Sequence, residues 1–89
     1  MQYKLKEPVL IGDKEIKTVE IKEKWNAGDF IDVQDAGDGK GQQGMRQVAL
    51  AIDWPDPQVK MLRVDDYIEI LRISTGFFVP NTKKAKGST

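Results

Sequence analysis

Neither cysteine nor histidine occurs in this chain of 89 residues. Their absence excludes disulfides, thiolate nucleophiles, the usual zinc ligand sets and histidine acid–base catalysis. A reducing cytoplasm fits a chain without cysteine. An excess of charge of one sign is also missing: Lys plus Arg and Asp plus Glu each total 14, so the net charge is zero. A neutral domain has no overall field to draw nucleic acid or anionic lipid. No apolar run approaches the roughly 18 residues that a membrane helix needs. Residues 2–6 alternate charged and apolar side chains, a pattern not expected of a signal peptide. A cytoplasmic protein with no membrane segment and no cofactor is therefore expected.

What is present is an ordinary globular mixture, 39% hydrophobic and 31% charged, so a packed core is expected rather than a disordered chain. The length allows one domain with a modest core, and domains this small often lean on partners or on copies of themselves. A single α+β domain is read over residues 1–80, followed by a disordered basic tail over 81–89.

Tyr3, Leu5, Val9 and Ile11 share odd positions, with Lys4 and Lys6 between them, which predicts a half-buried strand over 3–11. Gly12-Asp13-Lys14 marks a turn. A second alternation over 15–24 sets Val19 and Ile21 against Glu20, Lys22 and Lys24. Leu10 and Ile16 both break phase. A register pairing them also sets Leu5 opposite Ile21 and Lys6 opposite Glu20, and predicts an antiparallel β-hairpin. A hairpin alone is not stable in water and needs a layer packed on its apolar face.

Three to four short helices are expected to supply that layer. Asp29 and Asp32 suit a helix start around Phe30, Ile31 and Val33, although residues 30–33 also fit a strand. Residues 37–44 hold four glycines and read as a mobile loop. Met45, Val48, Ala49 and Ile52 then fall on one helical face. Trp54-Pro55-Asp56-Pro57 ends that helix, with Asp56 as a cap and Pro57 as the first residue of a turn through Val59 and Leu62. Asp66 and Glu69 have capping-box spacing at the head of a last helix. In it Tyr67, Ile68, Ile70, Leu71 and Ile73 leave only Glu69 and Arg72 polar, as in a central core helix or an interface helix. Gly76 is expected to break it before Phe77-Phe78-Val79.

Sites of chemistry are scarce. Gly39-Lys40-Gly41-Gln42-Gln43-Gly44 matches G-x-G-x-x-G, but that motif binds dinucleotides only within a βαβ unit, and no returning parallel strand follows. Lys40 is followed by Gly41 rather than Ser or Thr, so a P-loop is excluded too. Asp29, Asp32, Asp35 and Asp38 lack the glutamate and spacing of a calcium loop and read as a solvated face. Helix capping accounts for Asp65-Asp66 without catalysis. Lys83, Lys84 and Lys86 have no interleaved aromatic for stacking bases. No catalytic, metal or cofactor residue is assigned, and an enzyme is not expected. The candidate partner-binding residues are large and apolar: Trp25, Trp54, Ile68, Leu71, Ile73, Phe77 and Phe78. Trp25 and Trp54 fit a core as well as an interface.

The order of these elements resembles a known family. Leu5, Pro8-Val9, Gly12-Asp13-Lys14 and Ile21 form the hairpin, and Lys22, Lys24 and Asp29-Phe30 lead into the first helix. Val48-Ala49-Leu50-Ala51-Ile52, the turn with Val59 and Leu62, Asp66-Tyr67 and the aromatic end Phe77-Phe78 follow. The pattern is similar to the tail assembly chaperones of Mu-like and other long-tailed bacteriophages. It departs from that family in its glycine-rich loop and in a turn reading Gly-Asp. The resemblance implies a non-structural protein that binds the tape measure protein and recruits tail tube subunits in the host cytoplasm. It also implies absence from the mature virion, and in many members a longer frameshifted form. A homo-oligomer stays open. The competing classes are a small structural tail or head-completion protein and a small regulatory or inhibitor protein.

Overall fold

The alternating residues at the start of the chain form β1 (Gln2–Ile11) and β2 (Lys14–Glu20), which pair antiparallel as a two-stranded sheet. The computed structural model describes residues 1–78; Val79, Pro80 and the expected tail over 81–89 lie outside the described residues. Gly12 and Asp13 make a two-residue turn, with Gly12 in the left-handed region at φ 62°. Such a turn sets the register at its own end of the hairpin. Val9 therefore faces Ile16 and Leu10 faces Glu15, not the expected pairing of Leu10 with Ile16. At the open end Tyr3 faces Val19 and Lys4 faces Thr18.

Between Lys4 and Val9 the register shifts, so β1 bulges outward relative to β2. The expected opposition of Leu5 with Ile21 and Lys6 with Glu20 does not occur. Pro8, which has no N–H for a ladder, lies in this bulge. The shift also accounts for the phase break: it lets Ile16 and Val19, on opposite parities of β2, both turn towards the interior. Leu10 instead points outward, 62% exposed. The strand ends at Glu20 rather than reaching residue 24, because the Lys22 N–H donates to Ala51 O at 2.7 Å and turns the chain onto the helical layer.

Four helices follow the hairpin, giving the expected α+β arrangement: α1 (Ala27–Gln34), α2 (Lys40–Ile52), α3 (Asp56–Val59) and α4 (Val64–Phe78). Asn26 caps α1 through a capping box in which its side chain accepts from Asp29 N–H and Asp29 accepts from Asn26 N–H. That settles residues 30–33 as helix. Five of the eight residues of the expected loop over 37–44 are helical, because α2 starts at Lys40 with Gly39 as its cap. Gly44 lies where α2 meets α4: a β-carbon there would come within 2.9 Å of Tyr67 Oη and 3.6 Å of Leu71 Cδ2. The missing side chain lets the two helices approach.

Asp53, in the left-handed region at φ 58°, closes α2 before Trp54-Pro55. Pro55 occupies the cap position of α3 and Asp56 is already helical, one residue away from the expected cap. The Asp56 carboxylate pairs instead with Arg46 at 3.5 Å. The last helix begins at Val64, two residues before the expected start, and passes through Gly76 to Phe78. Gly76 does not break it because its backbone stays out of the positive-φ region.

The core sits between the hairpin and α2, α3 and α4. Leu5, Val9, Val19 and Ile21 from the sheet pack with Val48, Ala49, Ala51 and Ile52 from α2, with Val59 and Leu62, and with Ile70 of α4. A buried polar contact fixes α2 against α4. The Gln47 side-chain amide donates to Ser74 Oγ at 2.8 Å and Thr75 Oγ1 at 2.9 Å. Ser74, fully buried, in turn donates to Leu71 O.

The bulge is fastened to α4 by Asp66, whose side chain has no exposure to water. Its carboxylate accepts from Lys6 N–H at 3.0 Å on both oxygens, from Glu7 N–H at 3.2 Å and from the Tyr3 hydroxyl at 2.9 Å. The expected capping box with Glu69 is therefore absent; Glu69 pairs with Arg72 instead. Burial alone would raise the Asp66 pKa, but these donors outweigh it and hold the carboxyl below the usual carboxylate range. Burial, with the hydrogen bond to Asp66 second, pushes the Tyr3 phenol up to about 12.

Asp66→Ala leaves these amides and the phenol without an acceptor and is expected to cost about 3 kcal/mol or more in urea unfolding, against less than about 0.5 kcal/mol for Asp65→Ala. The Asp66 contribution is present above the ordinary carboxylate value of 3.8 and disappears as pH falls through its depressed folded value. The Tyr3 contribution is present below 10.0 and disappears as pH rises towards about 12. Urea midpoints followed against pH should therefore fall at both extremes in the native chain. The acid limb should flatten in Asp66→Asn. At Gly76 an added β-carbon meets open space, so Gly76→Ala should stabilise the helix by about 0.5–1 kcal/mol, read from the same unfolding curves.

Candidate functional site

The glycine motif sits on one antiparallel hairpin's helical layer, not in a βαβ unit. Gly39 caps α2 and Lys40–Gly44 form its first turns. Asp29, Asp32, Asp65 and Asp66 are engaged elsewhere. Asp29 contacts Lys22 Nζ at 2.7 Å, and that ammonium holds its carboxyl below the usual range. Asp32 contacts Arg46 at 3.4 Å. Asp65 contacts Arg63 at 3.5 Å, and the oxygens of Asp66 are occupied by the hairpin. Among the described residues no group of three or more acidic side chains could hold a metal ion.

The expected anchors divide into two sets. Trp25, Trp54, Leu71, Ile73 and Phe77 are partly buried and pack against the core. Trp25 donates from Nε1 to Lys22 O at 2.9 Å, and Lys22 Nζ lies 5.3 Å from the ring centroid. Trp25 and Phe77 come together with Phe30 around a cleft of about 270 Å³ where α1 meets the end of α4. Trp54 lies at the far end of α2, away from that cleft. The Phe78 side chain lies outside the described residues. Of the six expected anchors whose side chains are described, Ile68 is the one whose exposure exceeds half, at 56%.

Ile68 belongs to an apolar strip that sequence reading did not assemble. Met61, Val64 and Ile68 are 52%, 63% and 56% exposed. Val64 and Ile68 lie one turn apart on the outer face of α4, and Met61 precedes them in the turn before the helix. Beside the strip is an apolar cavity of about 270 Å³ between α2, α3 and the start of α4, walled by Met45, Val59, Leu62, Val64 and Tyr67. Burial pushes the Tyr67 phenol up, so it stays protonated through neutral pH. The signal was the spacing of Val64 and Ile68 by four residues. It is hidden when the helix is started at Asp66.

Chemically the arrangement offers shape and apolar area, with Lys60 and Tyr67 as the polar side chains of the cavity wall. No helix among the described residues is long and apolar enough to cross a membrane. No known protein family, curated protein or solved structure matches the chain.

Proposed function

We propose that this protein is a non-catalytic assembly chaperone of a long-tailed bacteriophage. It binds the tape measure protein and helps bring tail tube subunits to it. The observation that carries the reading is the exposed strip Met61–Val64–Ile68 beside an apolar cavity. Small proteins seldom leave adjoining large apolar side chains facing water on a rigid helix unless another surface covers them. The resemblance in element order supplies the partner. A tape measure protein is a long amphipathic helix whose apolar stripe aggregates when bare, and a helix laid in a groove buries such a stripe. Many copies of a small domain would be needed along its length, acting in the host cytoplasm and leaving before the virion is complete.

The strip also relocates the docking surface. Ile73 and Phe77, expected to contact the partner, pack against the core, so their replacement by a charge would damage the fold as well as any interface. Val64→Asp with Ile68→Asp alters only exposed positions. The double variant should keep its circular dichroism spectrum and unfold within about 1 kcal/mol of the parent. It should lose co-purification with the tape measure protein encoded in the same genome. Undiminished co-purification, or the chain's presence in purified mature particles, overturns the reading.

A further inference from the structure

The strip and cavity are apolar, and the polar side chains that line the cavity share one character. Lys60, at the end of α3, lines the cavity, and its ammonium has no ion-pair partner among the described residues. Tyr67 lines the same cavity, and its hydroxyl has no hydrogen-bond partner among the described residues. Both are donors at neutral pH, and none of the side chains lining the cavity is acidic. The acids flanking the strip are already engaged, Asp65 by Arg63 and Glu69 by Arg72. Carboxylates without an ion pair among the described residues are Asp13 in the hairpin turn, Asp35 and Asp38 after α1, Asp53 after α2, and Asp66, whose oxygens are taken by hairpin donors. None of them lines the cavity.

An apolar site whose polar side chains are a lysine and a phenol, with no carboxylate, is complementary to an apolar ligand that carries an acceptor, above all an anionic one. From this charge complementarity we infer that the occupant is an amphipathic helix with a glutamate or aspartate beside its apolar stripe. Its apolar side chains fill the cavity and cover Val64 and Ile68, and its carboxylate meets Lys60 and the Tyr67 hydroxyl. The inference rests on the helix-docking reading above and adds which segments of a partner are chosen. A second copy of this chain is the less suited occupant. Its own exposed strip brings the same lysine, and the acids that flank the strip, Asp65 and Glu69, are already paired within their own chain.

The test uses the full chain and two synthetic helical peptides that share one leucine stripe, flanked by glutamate in one and by lysine in the other. Fluorescence anisotropy should show the glutamate peptide binding about tenfold tighter or more, with the preference shrinking as salt rises. Lys60→Glu should reverse the preference, and Tyr67→Phe should weaken the glutamate peptide a few-fold while sparing the lysine peptide. Equal affinities, or a preference that survives Lys60→Glu, overturn the acidic partner and leave helix docking standing. Failure of both peptides to bind removes the docking surface as well. Self-association in analytical ultracentrifugation that Val64→Asp abolishes would make a second copy the occupant and overturn the inference.

Discussion

Taking the Asp66 carboxylate out of water costs several kcal/mol, and only well-placed donors offset such a cost. Here the donors are the bulge amides of Lys6 and Glu7 and the Tyr3 hydroxyl, all from β1. A lone two-stranded sheet is marginal in water, and this one gains its position through that carboxylate and the apolar residues around it. The bulge and the buried acid are complementary parts of one device. Without the bulge the amides of Lys6 and Glu7 would belong to a ladder, and without those amides the carboxylate could not remain charged inside.

The same contact sets the rotation of α4. With Asp66 turned to the hairpin, Ile70 and Ser74 follow on the inner face, where both are fully buried. Gln47 meets Ser74 and Thr75 from α2, and Gly44 lets Tyr67 and Leu71 close against that helix. Val64 and Ile68 are left on the opposite side. The outward strip is therefore a consequence of polar pairing inside, since a helix apolar nearly all round has no preferred face by burial alone.

Two kinds of polar group thus have different tasks. Those inside are fully satisfied, and no buried side-chain nitrogen or oxygen among the described residues lacks a hydrogen bond. Lys60 and the Tyr67 hydroxyl, at the edge of the apolar cavity, keep free donor capacity. The proposed docking role rests on this division: a fixed interior, and a surface whose apolar area supplies affinity while a few polar groups select the partner. The salt bridges elsewhere on the surface contribute little to stability.

Local periodicity determined much of this molecule. The alternation through Tyr3, Leu5 and Val9 and through Val19 and Ile21 placed the hairpin, and Val48, Ala49 and Ile52 identified the buried face of α2. Those signals are legible because each residue's burial repeats with the backbone's own period. The register, the start of α4 and the exposed strip were not legible, and the bulge and the outward face of α4 follow from one long-range pairing, Asp66 with Lys6 and Glu7, about sixty positions apart in the chain. An aspartate three residues before a glutamate reads locally as a helix cap. Only the folded chain brings it to a strand whose amides have left their ladder, and that encounter has no period for a sequence to display.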